Sequence, residues 1–237
     1  MNKSIKEFLK KFSVIGLDIN IAFDRGVSLF GLNLSKTKHR LAFRGMPALK
    51  YCIGLGCKTV LDVGSGGGEH AHAFSKAGAS VTCVDFGTSI YAKSVDEGNR
   101  INVIHVDFNK WETKEKYEIV WASHVLEHQR NAGSFIEKLI DCCKPSGYVA
   151  ITVPYPHRNL WGGHLSLWTP GFLVYNCVMC GVNLSNAKLI YGYREFSLVF
   201  QPEKVVLPSD LSYDNGDLKK LKYLLPEALG EDKNAWY

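Results

Sequence analysis

The sequence lacks the features that mark several large classes of protein. No apolar run approaches the roughly 18 to 20 residues that a membrane-spanning helix requires. Basic residues are interspersed with acidic ones, so the net charge of +5 is nowhere concentrated into an arm of the kind that binds nucleic acid. Neither an internal repeat nor a low-complexity tract is present. We therefore expect a globular, cytoplasmic protein that binds no nucleic acid.

The seven cysteines lack the arrangement of a zinc site or of a disulfide framework. Cys177 and Cys180 form a C-x-x-C pair, but no second pair and no nearby pair of histidines completes a set of four ligands. The first residues do not have the pattern of a secretory signal, so we expect a reducing compartment and free thiols. We interpret Cys177 and Cys180 as two small apolar residues of a helix.

The sequence does contain a strand, a glycine-rich turn, a helix and a second strand between Lys58 and Asp85, with the letters KTVLDVGSGGGEHAHAFSKAGASVTCVD. The apolar, β-branched run that ends at Val63 predicts a buried strand. The glycines that follow allow a tight turn, in which the backbone can approach a ligand at the start of the helix predicted at 69–77. The second strand, at 80–84, leads to the carboxylate of Asp85. Such a unit holds a nucleoside across the carboxyl ends of a parallel sheet.

The spacing of the glycines separates two classes of cofactor. A dinucleotide fingerprint counted from Gly64 would need a further glycine where Glu69 stands, which disfavours a nicotinamide-dependent oxidoreductase. The chain instead reads D-x-G-x-G-x-G, with Asp62, Gly64, Gly66 and Gly68 in place. This pattern resembles the first motif of class I S-adenosylmethionine-dependent methyltransferases.

Strands and helices continue to alternate after this unit. We predict strands at 101–106, 117–122 and 148–153, helices at 89–98, 135–142 and 171–180, and a closing hairpin of 187–193 with 196–200. This alternation is typical of a parallel sheet that helices cover on both faces.

Four further blocks extend the resemblance to class I methyltransferases over about residues 58–201. They are Asp85 after the second strand, Asp107 after the third, the letters SHVLEH from Ser123 to His128 after the fourth, and KPSGYVAITVP at the fifth. The resemblance, most specifically to methyltransferases of types 11 and 23, implies a Rossmann-like α/β fold. That fold has a seven-stranded, mostly parallel sheet, helices on both faces and an antiparallel last strand.

The resemblance also implies which residues bind S-adenosylmethionine. The carboxylate of Asp85 can accept both hydroxyl protons of the ribose. Asp107 can accept a hydrogen bond from the adenine amino group, and Phe86 or Phe108 offers an apolar face to the ring. Backbone N–H groups of the glycine turn favour the methionine carboxylate, although capping or turn roles remain open for these side chains. The predicted set is Asp62, Gly64, Ser65, Gly66, Gly68, Asp85, Phe86, Asp107, Phe108, Ser123 and His124.

Methyl transfer to a hydroxyl group also needs a group that removes the hydroxyl proton. His128 follows the fourth strand and His164 lies in the loop at 155–170, so we predict that one of them is the general base and that Glu127 orients it. The alternative is that Glu127 and His128 cap a short helix. Because the loop contains no cluster of carboxylates, we predict a metal-independent reaction.

The acceptor is predicted from the aromatic and apolar character of the loop at 155–170, which fits a small or medium-sized molecule rather than duplex nucleic acid. The letters GGHLSLWTPGFL resemble bacterial methyltransferases that act on sugars or surface polysaccharides. We therefore predict O-methylation of a small molecule or a sugar. A rival hypothesis is a sensor or scaffold that binds the cofactor without transferring its methyl group.

Three segments make up the predicted domain organisation. Residues 1–51 form a helical segment on the substrate side, residues 52–203 the cofactor-binding core, and residues 204–237 a tail with a short helix at 218–225. Apolar residues recur at helical spacing among lysines at 3–12. This amphipathic helix can pack as a lid or contact a membrane surface. The oligomeric state is not predicted.

Overall fold

The computed structural model describes residues 44–88 and 100–229. The amphipathic helix predicted at 3–12 and the helix predicted at 89–98 lie outside the described residues. From Gly45 onward, the described residues belong to one compact unit.

Strands and helices alternate along the described residues. The strands are β1 (Thr59–Val63), β2 (Ser80–Asp85), β3 (Ile101–His105), β4 (Tyr117–Ser123), β5 (Cys143–Pro154), β6 (Lys188–Gly192) and β7 (Glu195–Phe200). The helices, numbered within the described residues, are α1 (Met46–Gly54), α2 (Glu69–Lys76), α3 (Ala132–Cys142), α4 (Pro170–Met179) and α5 (Asp217–Leu221). Short 3-10 turns lie at Leu126–His128, Lys222–Leu224 and Glu227–Leu229.

One sheet contains the seven strands of the described part, in the order β3-β2-β1-β4-β5-β7-β6. Neighbours from β3 to β5 pair in parallel, whereas β7 runs antiparallel to both β5 and β6. The predicted Rossmann-like fold class, with its antiparallel last strand, is therefore confirmed. The strand order changes direction between β1 and β4, which opens a crevice at the carboxyl ends of these strands.

Helices cover both faces of the sheet. On one face α1 and α2 pack with the buried side chains of Val60, Val81 and Trp121. On the other face α3 and α4 pack with Leu61 and Val120. Because side chains alternate along a strand, neighbouring residues of β1 contribute to opposite cores. This arrangement explains why the central strands are apolar at nearly every position.

Side-chain caps fix the starts of helices α3 and α4. The Asn131 side chain accepts a hydrogen bond from the N–H of Ser134 at 3.2 Å, which begins α3. The Thr169 hydroxyl accepts one from the N–H of Phe172 at 3.2 Å, with Pro170 in the first turn of α4. Each cap satisfies a backbone donor that the helix itself leaves without a partner.

Helix α1 is the main described element that the sequence pattern did not predict. Pro47 stands in its first turn, and Ala48, Leu49 and Cys52 are buried against the sheet. The helix runs across the boundary that we predicted after residue 51. The N-terminal segment therefore continues into the core without a break at that point, and the division into segments otherwise stays a prediction.

The described part of the C-terminal segment is packed rather than extended. Leu221 in α5 and Leu224 in the following turn are buried in the same core as α3 and α4. The N–H of Leu184 also donates a hydrogen bond to the carbonyl of Leu224 at 2.9 Å. Residues 221–224 therefore contribute to the hydrophobic core.

All seven cysteines fall within the described residues, and all are free thiols. Cys177 is buried inside α4 and Cys180 directly follows that helix, as expected for small apolar residues. Burial raises the pKa of Cys52 and of Cys143 to about 12, so these thiols stay protonated at neutral pH. No helix in the described part of the chain has both the length and the apolar character needed to cross a membrane.

Asp62 places a carboxyl group inside β1, where its residue is 2% exposed. Burial raises the pKa of Asp62 to about 8, and the carboxylates of Asp85 and Glu69 add to the shift. Its Oδ2 has no hydrogen-bond partner among the residues that the structure describes. Asp62 is therefore a neutral acid at pH 7 in the ligand-free chain.

We expect Asp62→Asn to stabilise the ligand-free protein more at pH 7 than at pH 5. The wild-type carboxyl has a pKa of 3.8 when unfolded and about 8 when folded, so the folded state loses stability as the pH rises between these values. The variant avoids that loss, by up to about 1.4 kcal/mol per pH unit. Urea unfolding at pH 5, 6 and 7 measures the difference. The exposed control Asp141→Asn should show a nearly constant difference, and a constant difference for Asp62→Asn would contradict the assignment.

Candidate active site

The glycine turn after β1 has the backbone shape that the sequence predicted. Gly64, Gly66 and Gly68 have φ angles of +70°, +53° and +76°, a region that side chains other than glycine rarely adopt. A Cβ at Gly64 would also lie 2.4 Å from a methyl carbon of Val125. Gly64 is therefore required both for its conformation and for the close approach of the segment that follows β4.

Asp85 ties this turn to the end of β2. Its Oδ2 accepts a hydrogen bond from the N–H of Gly66 at 3.0 Å, and its Oδ1 accepts one from the N–H of Gly87 at 2.8 Å. An ionised carboxylate has about four acceptor positions, so these two bonds leave capacity for a ligand. Asp85 thus holds the turn in shape and can also bind a pair of hydroxyl groups.

A cavity lies beside Asp85 at the carboxyl edge of the sheet. Its walls are formed by Val63, Gly64, Val84, Asp85, Phe86, Val106, Asp107, Phe108, Asn109, Val125, Gln129 and Phe135. The structure thus brings together five of the predicted cofactor residues. Phe86 is 59% exposed, whereas Phe108 is 5% exposed and packs on Phe135 with 5.4 Å between ring centroids. Phe86 is the more accessible apolar face for an adenine ring.

The carboxylate of Asp107 stabilises a local turn, which is the alternative to binding the adenine amino group. Its Oδ1 accepts hydrogen bonds from the backbone N–H and the side-chain amide of Asn109, at 2.9 and 3.2 Å. The Asn109 amide also donates to Oε1 of Gln129 at 3.0 Å. Asn109 and Gln129 are cavity residues that sequence reasoning missed, because a lone amide in a loop carries no motif.

Ser65 and Ser123, which were also predicted to bind the cofactor, are not among the residues that line this cavity. The carbonyl of Ser65 accepts a hydrogen bond from the N–H of Gly68 at 2.8 Å, which closes the glycine turn. The Ser123 hydroxyl is buried, and a Cβ at Gly45 would lie 2.9 Å from it. Ser123 therefore faces the start of α1.

His124 bridges two carboxylates. Its Nδ1 lies 3.1 Å from Oε1 of Glu127, and its Nε2 lies 2.8 Å from Oε2 of Glu195. Burial opposes the charged form, but the hydrogen bonds and charges of the two carboxylates outweigh it and raise the pKa of His124. Since carboxylates accept hydrogen bonds, a doubly protonated ring satisfies both contacts. Oε1 of Glu195 also accepts the N–H of Gly45 at 2.6 Å.

Glu127, His128 and His164 come together across the crevice. The rings of His128 and His164 are perpendicular, with 4.9 Å between their centroids. Nε2 of His128 lies 4.0 Å from Oε1 of Glu127. The N–H of Leu165 donates to the Glu127 carbonyl at 2.7 Å, which attaches the loop to the 3-10 turn. The carboxylate of Glu127 contacts histidine rings, and the turn has no side-chain cap from its own N-cap residue Val125.

The two histidines of this cluster differ in surroundings. Nδ1 of His128 lies 2.7 Å from the carbonyl of Gly163. Because a carbonyl only accepts hydrogen bonds, Nδ1 carries a hydrogen, and in the neutral tautomer Nε2 is the nitrogen with the lone pair. Burial lowers the pKa of His164, partly offset by the charge of Glu127. The lowered pKa favours a neutral His164 ring at pH 7.

A family model described as a methyltransferase domain matches residues 25–181 of this chain. The chain is 34% identical over 109 residues to the ubiquinone biosynthesis O-methyltransferase of Shewanella pealeana, which covers 44% of this chain and 45% of the relative. The corresponding protein of Rickettsia typhi is 33% identical over 99 residues, 39% of each chain. The match thus spans less than half the length of these relatives.

Solved structures give the same fold. A Burkholderia thailandensis 1,6-didemethyltoxoflavin-N1-methyltransferase, with 1,6-didemethyltoxoflavin and S-adenosylhomocysteine bound, superposes with a TM-score of 0.56 at 19% identity over 70% of this chain and 79% of that one. A SAM-dependent methyltransferase from Aquifex aeolicus has a TM-score of 0.56 at 20% identity over 69% and 92% of the two chains. At such identity these likenesses support the fold alone.

The residues present fit the nucleoside cofactor, because the glycine turn, the spare acceptor positions of Asp85 and the exposed ring of Phe86 border one cavity. The family match covers the cavity residues and the cluster of Glu127, His128 and His164, and it extends through α4. The chain therefore belongs to the methyltransferase domain family, with the class I fold and the S-adenosylmethionine cofactor that its own motifs predicted.

Proposed function

We propose that this protein methylates a hydroxyl oxygen of a small molecule that has an apolar body. The observation that carries the proposal is the convergence of Glu127, His128 and His164 next to the cofactor cavity. Val125 and Gln129 line that cavity, and the turn between them carries Glu127 and His128. One short segment therefore borders both the cofactor and the cluster.

The chemical task of the chain is alignment and proton removal. S-adenosylmethionine, when bound, supplies a methyl group on a positively charged sulfur. Transfer to a neutral hydroxyl disperses that charge, so the protein gains most by holding the acceptor oxygen in line and removing its proton. Asp85 and the glycine turn hold the cofactor, and the cluster receives the acceptor. Burial lowers the pKa of His164, which suits that ring to the removal of the proton, and Nε2 of His128 lies in the same cluster.

Two kinds of support favour an oxygen acceptor on an apolar molecule. The relatives from Shewanella pealeana and Rickettsia typhi are named as O-methyltransferases. Large apolar side chains are also exposed around the loop that carries His164, and these are Leu160, Trp161, Leu165, Leu167 and Phe172. An apolar surface of this kind beside a few polar groups is typical of small-molecule sites. It favours such an acceptor over an unsubstituted sugar.

Asp85→Ala should weaken the binding of S-adenosylmethionine by about 2 kcal/mol, roughly 30-fold in Kd, because charged hydrogen bonds to the ribose are lost. Isothermal titration of the full chain measures this change. Asp85→Asn keeps one acceptor oxygen and should lose less. An unchanged Kd for Asp85→Ala would contradict the ribose assignment, and tight binding of NADH with no response to S-adenosylmethionine would favour the oxidoreductase.

His164→Gln should lower the rate of methyl transfer by roughly 100-fold or more while the Kd for S-adenosylmethionine stays the same. Cofactor labelled in its methyl group, incubated with fractions of cell extract, identifies the acceptor and measures the rate. Asn159→Ala, an exposed change in the same loop, is the matched control and should keep the wild-type rate. Wild-type protein that binds cofactor but labels no fraction would support the sensor or scaffold hypothesis.

A further inference from the structure

We infer that Glu127, His128 and His164 form a binding site for one divalent transition-metal cation such as Zn²⁺. One oxygen or nitrogen from each residue lies within 4.8 Å of the others. The inference deepens the proposed function at the same cluster, and its catalytic consequence rests on that proposal. The binding of the cation can be measured without any acceptor.

The chemistry of the three ligands favours a transition metal. Two imidazole nitrogens and one carboxylate oxygen form a set that binds Zn²⁺ in hydrolytic sites and iron in oxygenases, with open positions for a substrate. Mg²⁺ and Ca²⁺ prefer sites made of oxygen ligands, so they fit less well. Ligand atoms about 2.1 Å from one ion lie roughly 3.5 Å apart, so small side-chain rotations close the observed spacing.

The buried carboxylate supplies an independent sign of a missing partner. The Glu127 side chain is 1% exposed, and its Oε2 has no hydrogen-bond partner in the described ranges 44–88 and 100–229. Nδ1 of His164 is also buried without a partner within those ranges. Leaving buried polar atoms unpaired is costly, and most such atoms in proteins are satisfied by a protein group, a water or an ion. A cation between these side chains would supply that interaction.

The surrounding contacts hold the ligands as they are held in metal sites. The Gly163 carbonyl fixes the His128 ring through Nδ1, which leaves Nε2 as the ligand nitrogen. Gly163 has a φ angle of +87°, and a Cβ there would lie 3.1 Å from Nδ1 of His128. His124 holds Oε1 of Glu127 at 3.1 Å. Each of two ligands therefore has a second contact that fixes its orientation.

A bound cation would change how the acceptor loses its proton. The hydroxyl oxygen would occupy an open position on the ion, which lowers the pKa of the hydroxyl. Its proton then passes to solvent, the oxygen forms a bond to the methyl carbon, and the cofactor sulfur keeps the electron pair of the broken bond. The two histidines would then act as ligands. The metal-independent reaction was predicted because the loop at 155–170 has no cluster of carboxylates. In the fold, the carboxylate of Glu127 comes from the turn after β4 and lies close to His164.

The test is calorimetric titration of ZnCl₂ into full-length protein that has been stripped with EDTA, repeated with CoCl₂ and with MgCl₂. We expect one Zn²⁺ per chain, a visible Co²⁺ spectrum of a four- or five-coordinate site, and much weaker binding of Mg²⁺. Glu127→Gln and His164→Asn should each weaken Zn²⁺ binding by 100-fold or more, whereas His124→Gln, which removes a positioning residue, should cost about 10- to 100-fold. His105→Gln removes a histidine of β3 and should bind as the wild type does.

The outcomes separate this inference from the proposed function. Wild-type protein that binds neither Zn²⁺ nor Co²⁺ stoichiometrically would overturn the cation site, even if methyl transfer is observed. Binding that survives in both Glu127→Gln and His164→Asn would also overturn it, because the ion would then bind elsewhere, for example at the cysteines. Because Glu127 is buried, thermal unfolding should confirm that each variant is folded, and the partly exposed His164 provides the variant least dependent on folding. Stoichiometric, cluster-dependent binding without any methyl transfer would keep the inference and overturn the proposed function.

Discussion

The buried contact of His124 with two carboxylates is the interaction on which the arrangement of the cluster of Glu127, His128 and His164 depends. It joins Glu127, in the turn after β4, to Glu195, at the start of β7. His124 has a φ angle of +58°, a conformation that costs a residue other than glycine of order 1 kcal/mol. Two hydrogen bonds to charged groups offset that cost. The same Glu195 accepts the N–H of Gly45 just before α1, so one buried network connects the start of α1 to the cluster.

The close packing of Gly64 against Val125 fixes how the glycine turn after β1 and the segment after β4 meet beside the cavity. Because Gly64 has no side chain, Val125 of the segment after β4 can pack directly on the glycine turn after β1. Val125 then forms a wall of the cofactor cavity, and Glu127 follows only two residues later. The short distance along the chain means that a shift of this turn would move the cofactor wall and the cluster together. One short segment therefore borders both the cavity and the cluster of Glu127, His128 and His164.

Features that lie within a short stretch of sequence were predictable, whereas contacts between residues far apart in the chain were not. Hydrophobic periodicity predicted the seven strands, and the glycine spacing with Asp85 predicted the cofactor side, because each pattern lies within a short stretch. Helix α1 was missed, since its apolar residues were assigned to a segment without a motif. Glu195 was missed because its partner His124 is 71 residues away, and a single acid at a strand start carries no signal. His128 and His164 were predicted as candidate general bases from the sequence, but the contact of the Gly163 carbonyl with His128 was not.

Gly163 and His164 attach the loop at 155–170 to the 3-10 turn after β4. Gly163 gives its carbonyl to His128, and the next residue, His164, packs against the same ring. The backbone N–H of Leu165 then binds the Glu127 carbonyl. Three consecutive loop residues therefore contact two consecutive residues of the 3-10 turn, by a carbonyl, a ring and an N–H. Because backbone groups make two of these contacts, a change of an exposed side chain in the loop leaves both of them in place.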